Sequence, residues 1–201
     1  MSLAERVQKD FSTITLALIP VAIVINIVVG QIVQNVLKLP IYLDSIGTVL
    51  VGALAGPLAG AITGALSNLI WAVIFSTPTA APYALTAFVI GICAGVAGGY
   101  GVFKNIGLTI VAGLITGAIA AIVSAPITAF VFGGVTGSGT DLIIAAAQAT
   151  GANLIGAATL QGFISDPLDR TISYLVVWLI VRGMSKRLIG QFPRSQNVVE
   201  S

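Results

Sequence analysis

Histidine is absent from the 201 residues, and cysteine occurs once, as Cys93 within an apolar run. The first absence removes Ser-His-Asp and Cys-His nucleophilic chemistry and His-ligated metal centres. The second removes a disulfide framework and a thiolate zinc site. A GxxxxGK[ST] phosphate loop is also missing, so ATP hydrolysis by that route is excluded. Charge is scarce: charged residues make up 8% of the chain, against about 25% in a soluble domain. The net charge of +2 is too small to point to a nucleic acid as partner. No pattern implies a cofactor, a metal or a catalytic residue, and the chain is expected not to be an enzyme.

What fills the chain instead is apolar. Hydrophobic residues reach 57% and the mean hydropathy is +1.05, so the lipid bilayer is the expected solvent. The 23 glycines lie mostly inside apolar runs, as membrane helices that pack closely require. A spanning helix needs about 20 apolar residues. The first candidate runs from Phe11 to about Gly30; Glu5 and Asp10 disturb the basic leader, and no A-x-A site follows, so it reads as a retained span rather than a signal peptide. Clear spans follow at about 84–103 and 107–132, and a last one at about 168–181 is closed by Arg182, Lys186 and Arg187.

Two segments are less direct. Residues 44–77 carry Gly56-Pro57 near their middle, flanked by Gly52, Gly60 and Gly64, which favours a hairpin of two short helices over one long one. Arms of about 12–18 residues are short for a bilayer, so one or both should stop inside the protein. Residues 142–164 carry Gln148, Thr150, Asn153, Thr159 and Gln161. They are too polar to face lipid all round and are expected to form an extra external or re-entrant helix. The expected fold is thus an all-α integral membrane protein with six transmembrane helices: a cytoplasmic segment 1–10, one membrane domain 11–187 and a cytoplasmic tail 188–201. With both termini inside the cell membrane, Arg6, Lys9, Lys104, Arg182, Lys186, Arg187 and Arg194 are cytoplasmic and only Lys38 and Arg170 are external, which satisfies the positive-inside rule.

In this topology the polar residues gather towards the outside. Gln31, Gln34 and Asn35 share one helix face by their i, i+3, i+4 spacing, either as the wet end of a helix or as a pocket wall. Asp44 suits an N-cap before Ser-Ile-Gly-Thr48, and Asp44 and Thr48 would share a face. Asn68 and Trp71 are three apart on the next arm, where a helix-helix hydrogen bond or a membrane-interface aromatic would also explain them. Tyr83 lies in the following outer loop, and Gln161, Asp166 and Asp169 lie near the last helix. Asp169-Arg170 reads as a structural pair or cap, and Gly133–Gly139 as a hinge rather than a phosphate cradle. Amides, hydroxyls and rings together suit a flat, neutral, hydrogen-bonding molecule, with Gln31, Asn35, Asp44, Thr48, Asn68, Trp71, Tyr83 and Gln161 lining its pocket.

The run Leu39-Pro-Ile-Tyr-Leu-Asp-Ser-Ile-Gly-Thr48, with Gly52-Ala-Leu-Ala-Gly-Pro57, Asn68 and Ser165-Asp-Pro-Leu-Asp-Arg170, resembles the S components of energy-coupling factor (ECF) transporters. The nearest branch is the riboflavin-type one. The resemblance implies a substrate-binding subunit that captures a small water-soluble nutrient, a vitamin or nucleoside-like heterocycle, on the outer face. Its implied partners are a transmembrane scaffold protein (the T component) and two ATPase subunits, which supply the energy. Where the family often has Ala-x-x-x-Ala on the first helix for scaffold docking, this chain has Thr13-Ile-Thr-Leu-Ala17, so Thr13 and Ala17 take that place. Asp169-Arg170 stands where Asp-Lys is frequent. Outside this resemblance, a solitary membrane facilitator, or a lipid-modifying enzyme using Asp166 and Asp169, would account for the same composition.

Overall fold

In a computed structural model the chain is described from residue 10 to residue 198, and these residues form helices without any strand. Glu5, Arg6, Lys9 and residues 199–201 lie outside the described residues. Seven main helices occur in chain order: α1 (Thr13–Gln31), α2 (Ile46–Ala55), α3 (Pro57–Ile74), α4 (Ala84–Gly99), α5 (Ile106–Pro126), α6 (Asp141–Ala149) and α7 (Leu154–Gly183). A π-helical turn extends α1 over Ile32–Val36 and another extends α5 over Ile127–Val131. So extended, α1 and α5 join α3 as three helices long and apolar enough to cross a bilayer. Large apolar side chains such as Val73, Phe130 and Val24 stand exposed. In water such surface would be costly. The chain is membrane-embedded.

The hairpin forms at Gly56, whose φ of +134° suits glycine and ends α2, while Pro57 opens α3. Glycines let the arms meet: a side chain at Gly60 would strike the backbone of Gly52, and one at Gly91 would strike α3. With 10 residues, α2 is only about 15 Å long. It begins halfway along α1, where Gly47 lies against Ala22 and the side chain of Asn26. The chain therefore reaches α2 through a non-helical segment, 37–45, that descends into the protein.

Backbone without a helix at that depth must find its hydrogen bonds inside the protein. Two buried side chains supply them. Asn26, fully buried on an otherwise apolar helix, accepts from the N–H of Gly47 (2.7 Å) and of Thr48 (3.4 Å) and donates to Thr48 Oγ1 (2.8 Å) and Ser67 Oγ (2.9 Å). It caps the start of α2 from another helix. The expected cap, Asp44, does not: it points to Arg170 at 3.2 Å, and Ser45 stands at the cap position without a side-chain capping bond. Asp169 Oδ1 accepts from the N–H of Tyr42 (3.0 Å) and Leu43 (2.6 Å), which holds Leu43 at a φ of +49°.

Residues 142–164 do not form one extra helix. They break at Thr150-Gly151-Ala152, where Gly151 takes a φ of +94° and Asn153 caps a new helix through Gly156 N–H (2.8 Å). That new helix continues without interruption into the expected last span, so 154–183 is a single 30-residue element with Pro167 inside it. Pro167 removes one helix bond but is housed by Gly117 of α5, where any side chain would collide with it. α5 and α7 form the most extensive helix pair, joined also by Thr116 and Tyr174 (2.8 Å between hydroxyls).

The two ends differ in charge. At one, Lys104, Arg182, Lys186, Arg187 and Arg194 gather with Asp10. There Arg194 donates its N–H to Leu54 O and its guanidinium to Gly95 O (3.2 Å), serving the open carbonyls of α2 and α4. Ile189, Phe192 and Val198 bury against the same core, so residues 186–198 pack on the helices. The other end holds the 37–45 segment, the 75–83 loop, the 133–140 loop and a cavity.

Candidate functional site

The cavity and its open mouth together span about 880 Å³ of space not filled by atoms. It lies among apolar helices but is bordered by polar and aromatic side chains. Trp71 forms one wall. Its ring rests against Gly30, where a β-carbon would approach it to 2.6 Å, and meets Phe75 edge-on at 6.1 Å. Trp71 is thus buried inside the protein and does not face lipid. Tyr83, at the start of α4, stacks on Phe132 (5.7 Å) and shares a hydrogen bond with Thr128 (2.7 Å between oxygens). Burial pushes its phenol up to about 12, the Thr128 bond opposing. Burial and the nearby Asp166 also push the Tyr42 phenol up, so both rings present neutral hydroxyls.

The floor is an ionic cluster. Arg170 pairs with Asp169 (2.9 Å), Asp44 (3.2 Å) and Asp166 (3.8 Å) and donates to Ser45 Oγ. Arg170 and Asp169 are almost wholly buried, whereas the Asp44 side chain is 23% exposed. Asp169 faces the 37–45 segment with its other oxygen, so its two oxygens are both engaged by the protein. Asp166 accepts from Ser124 (3.1 Å) and Asp44 from Gln34 (3.5 Å). The cluster thus does two things: it fixes an irregular segment in the protein interior, and it presents Asp44, Asp166 and Arg170 to the cavity.

Of the eight residues expected from sequence to line the pocket, the fold brings together Asn35, Asp44, Asn68, Trp71 and Tyr83. Gln31 is outside the lining and accepts from the Asn35 amide (2.9 Å) one turn further on. Thr48 is fully buried in the α1–α2–α3 contact, its hydroxyl taken by Asn26. Gln161 stands behind the wall, donating to the Tyr42 hydroxyl (3.0 Å), which in turn donates to Thr140 (3.1 Å). Thr13 and Ala17 are exposed on α1, away from the cavity. Asp169-Arg170 is a structural pair in mid-helix, not a cap at a helix start.

Lining residues not expected from sequence to border the pocket include Tyr42, Ser45, Thr86, Ser124 and Arg170. Tyr42 and Ser45 sit inside the Leu39–Thr48 run, a signal that was available. Thr86 and Ser124 had none: each is a hydroxyl within a largely apolar helix. The Gly133–Gly139 loop borders the cavity too, but the N–H groups of Thr136 and Gly137 are already given to Asp141 (3.0 and 2.8 Å), so it offers no phosphate cradle. No protein-family model matches the chain, and no curated protein matches it in sequence.

Proposed function

We propose that this chain is the substrate-binding membrane subunit of an ECF-type uptake system, capturing a small water-soluble heterocycle, vitamin-like or nucleoside-like, from the outer face. The observation that carries this is the cavity itself: rings and amides around an open space, inside a body of apolar helices. A flat molecule would stack on Trp71 or Tyr83 while Asn35, Asn68 and the hydroxyls meet its edge. α1, α2, α3, α4, α5 and α7 would be the six spans. The basic end, with Lys104, Arg182, Lys186, Arg187 and Arg194, would face the cytoplasm, which turns the cavity outwards. Without a phosphate loop, uphill import requires ATPases from elsewhere, coupled through a scaffold protein. The exposed face of α1 at Thr13 and Ala17 is the docking surface for that scaffold in this proposal.

Titration of the detergent-purified protein with a panel of vitamins and nucleosides tests it. Trp71 fluorescence and the unfolding temperature should both respond to at least one member, and Trp71→Phe should abolish the fluorescence response. Silence in both measurements across the panel overturns the proposal. Mass spectrometry of small molecules that copurify with the protein would identify the cargo directly.

A further inference from the structure

The charges around the cavity do not balance. At this end of the protein, Asp44, Asp141, Asp166 and Asp169 face only Lys38 and Arg170 among the described residues. Lys38 is exposed on the outer segment. Asp141 is occupied by the Thr136 and Gly137 N–H groups in the 133–140 loop. That leaves Arg170 alone among three carboxylates, and it sits closest to Asp169. Asp169 is fully buried and is also held by the Tyr42 and Leu43 N–H groups. One guanidinium paired in this way cannot also neutralise Asp44 and Asp166, which border the cavity. Asp44 is the more open of the two, with 23% of its side chain exposed.

The other groups at the cavity agree with this field. Trp71, Tyr83 and Tyr42 border the space, and aromatic rings attract cations at their faces. Thr86 also borders the space; it is 6% exposed, and its hydroxyl has no hydrogen-bond partner among the described residues. A buried hydroxyl left in that state costs free energy unless something in the cavity meets it.

We infer that the cavity selects a ligand bearing a positive charge, an N-alkylated or amidine-type heterocycle, with Asp44 as its counter-charge. This rests on the reading of the cavity as a substrate site and adds the charge of the substrate to it. A neutral ring would leave Asp44 under-compensated, and an anion would meet a like-charged wall.

The test uses three probes that share one ring and differ in charge: 1-methylnicotinamide (cation), nicotinamide (neutral) and nicotinate (anion). Each is titrated calorimetrically into the full chain in detergent at millimolar concentrations, with Trp71→Ala marking binding in the cavity. The cation should bind about tenfold more tightly than nicotinamide, with nicotinate weakest. Asp44→Asn should remove about that factor, so that the cation no longer binds more tightly than nicotinamide. If Asp44→Asn does not fold, the order of the three probes on the parent protein decides the inference. Trp71-dependent binding in which nicotinamide or nicotinate equals or exceeds the cation overturns the charge inference and leaves the substrate-site reading standing. Binding by none of the three overturns the charge inference, and the vitamin and nucleoside panel then decides the substrate-site reading separately.

Discussion

Replacing Asp169 by alanine tests the clamp that holds the 37–45 segment inside the protein. The substitution removes one acceptor from two backbone donors, Tyr42 N–H (3.0 Å) and Leu43 N–H (2.6 Å). Each orphaned buried donor costs about 1–3 kcal/mol. It also takes from Arg170 its nearest carboxylate, at 2.9 Å. Breaking a buried ion pair costs about 3–5 kcal/mol, and the low end applies because Asp44 and Asp166 remain beside Arg170. Allowing for overlap between these losses, Asp169→Ala should destabilise by about 4–6 kcal/mol, a large share of the 5–15 kcal/mol typical of a folded protein. Asp169→Asn keeps an oxygen for both N–H groups and loses the charge, so it should cost about 2–4 kcal/mol less than alanine. Equilibrium unfolding in mixed detergent micelles, followed by tryptophan fluorescence, measures both. Equal destabilisation by Asn and Ala would show that the backbone clamp contributes nothing. A loss below about 1 kcal/mol for Ala would refute the ionic argument as well.

Three further outcomes follow from the geometry. Asn26→Leu keeps the volume but strips the cap from Gly47 and Thr48. It should cost about 2–4 kcal/mol in the same unfolding assay, more than the roughly 0.6 kcal/mol average of a membrane interhelical hydrogen bond. Gly30→Ala would bring a β-carbon within 2.6 Å of the Trp71 ring; the ring must move, so the tryptophan emission maximum should shift and probe affinity should fall even where the protein stays folded. Tyr83 supplies a pH dependence. Its folded value of about 12 lies above the unfolded value of about 10, so its contribution to stability is complete below pH ~10 and is lost as pH rises towards 12. Thermal unfolding between pH 9 and 12 should show a steeper decline in the parent protein than in Tyr83→Phe; identical slopes would contradict the burial of this phenol.

The spans were legible because bilayer thickness imposes a length and a composition that need no partner to be recognised. Thr13–Val36 and Ile106–Val131 lie close to the expected stretches, and Gly56-Pro57 announced the hairpin by chemistry local to two residues. The segment 142–164 misled for an equally local reason. Its polar residues describe what faces water and the protein, not where the chain bends, and whether Pro167 ends a helix or sits inside one depends on Gly117 across the α5–α7 contact. Asp44 looked like a cap because Asp before a helix commonly is one; the buried Arg170 outcompetes that role, and Asn26 takes it over.

The candidate site divides in the same way. Asn35, Asn68, Trp71 and Tyr83 could be picked from sequence, since a polar or amphipathic side chain near the end of an apolar run has few places to go. Gln31, Thr48 and Gln161 are the same residue types, yet the fold spends them on neighbours. Nothing in their local sequence separates the two groups.

Composition by itself therefore determined the solvent of this protein, the helical class and the chemistry it lacks, because those depend on summed properties of the chain. Tertiary structure alone decided which carboxylate is shared with Arg170, which N–H groups Asn26 and Asp169 satisfy, and which side chains border a cavity. Those are three-body questions. A buried amide or carboxylate takes whichever partner the fold brings within 3 Å or so, and the N–H groups that Asn26 and Asp169 satisfy lie 21 to 127 residues away along the chain.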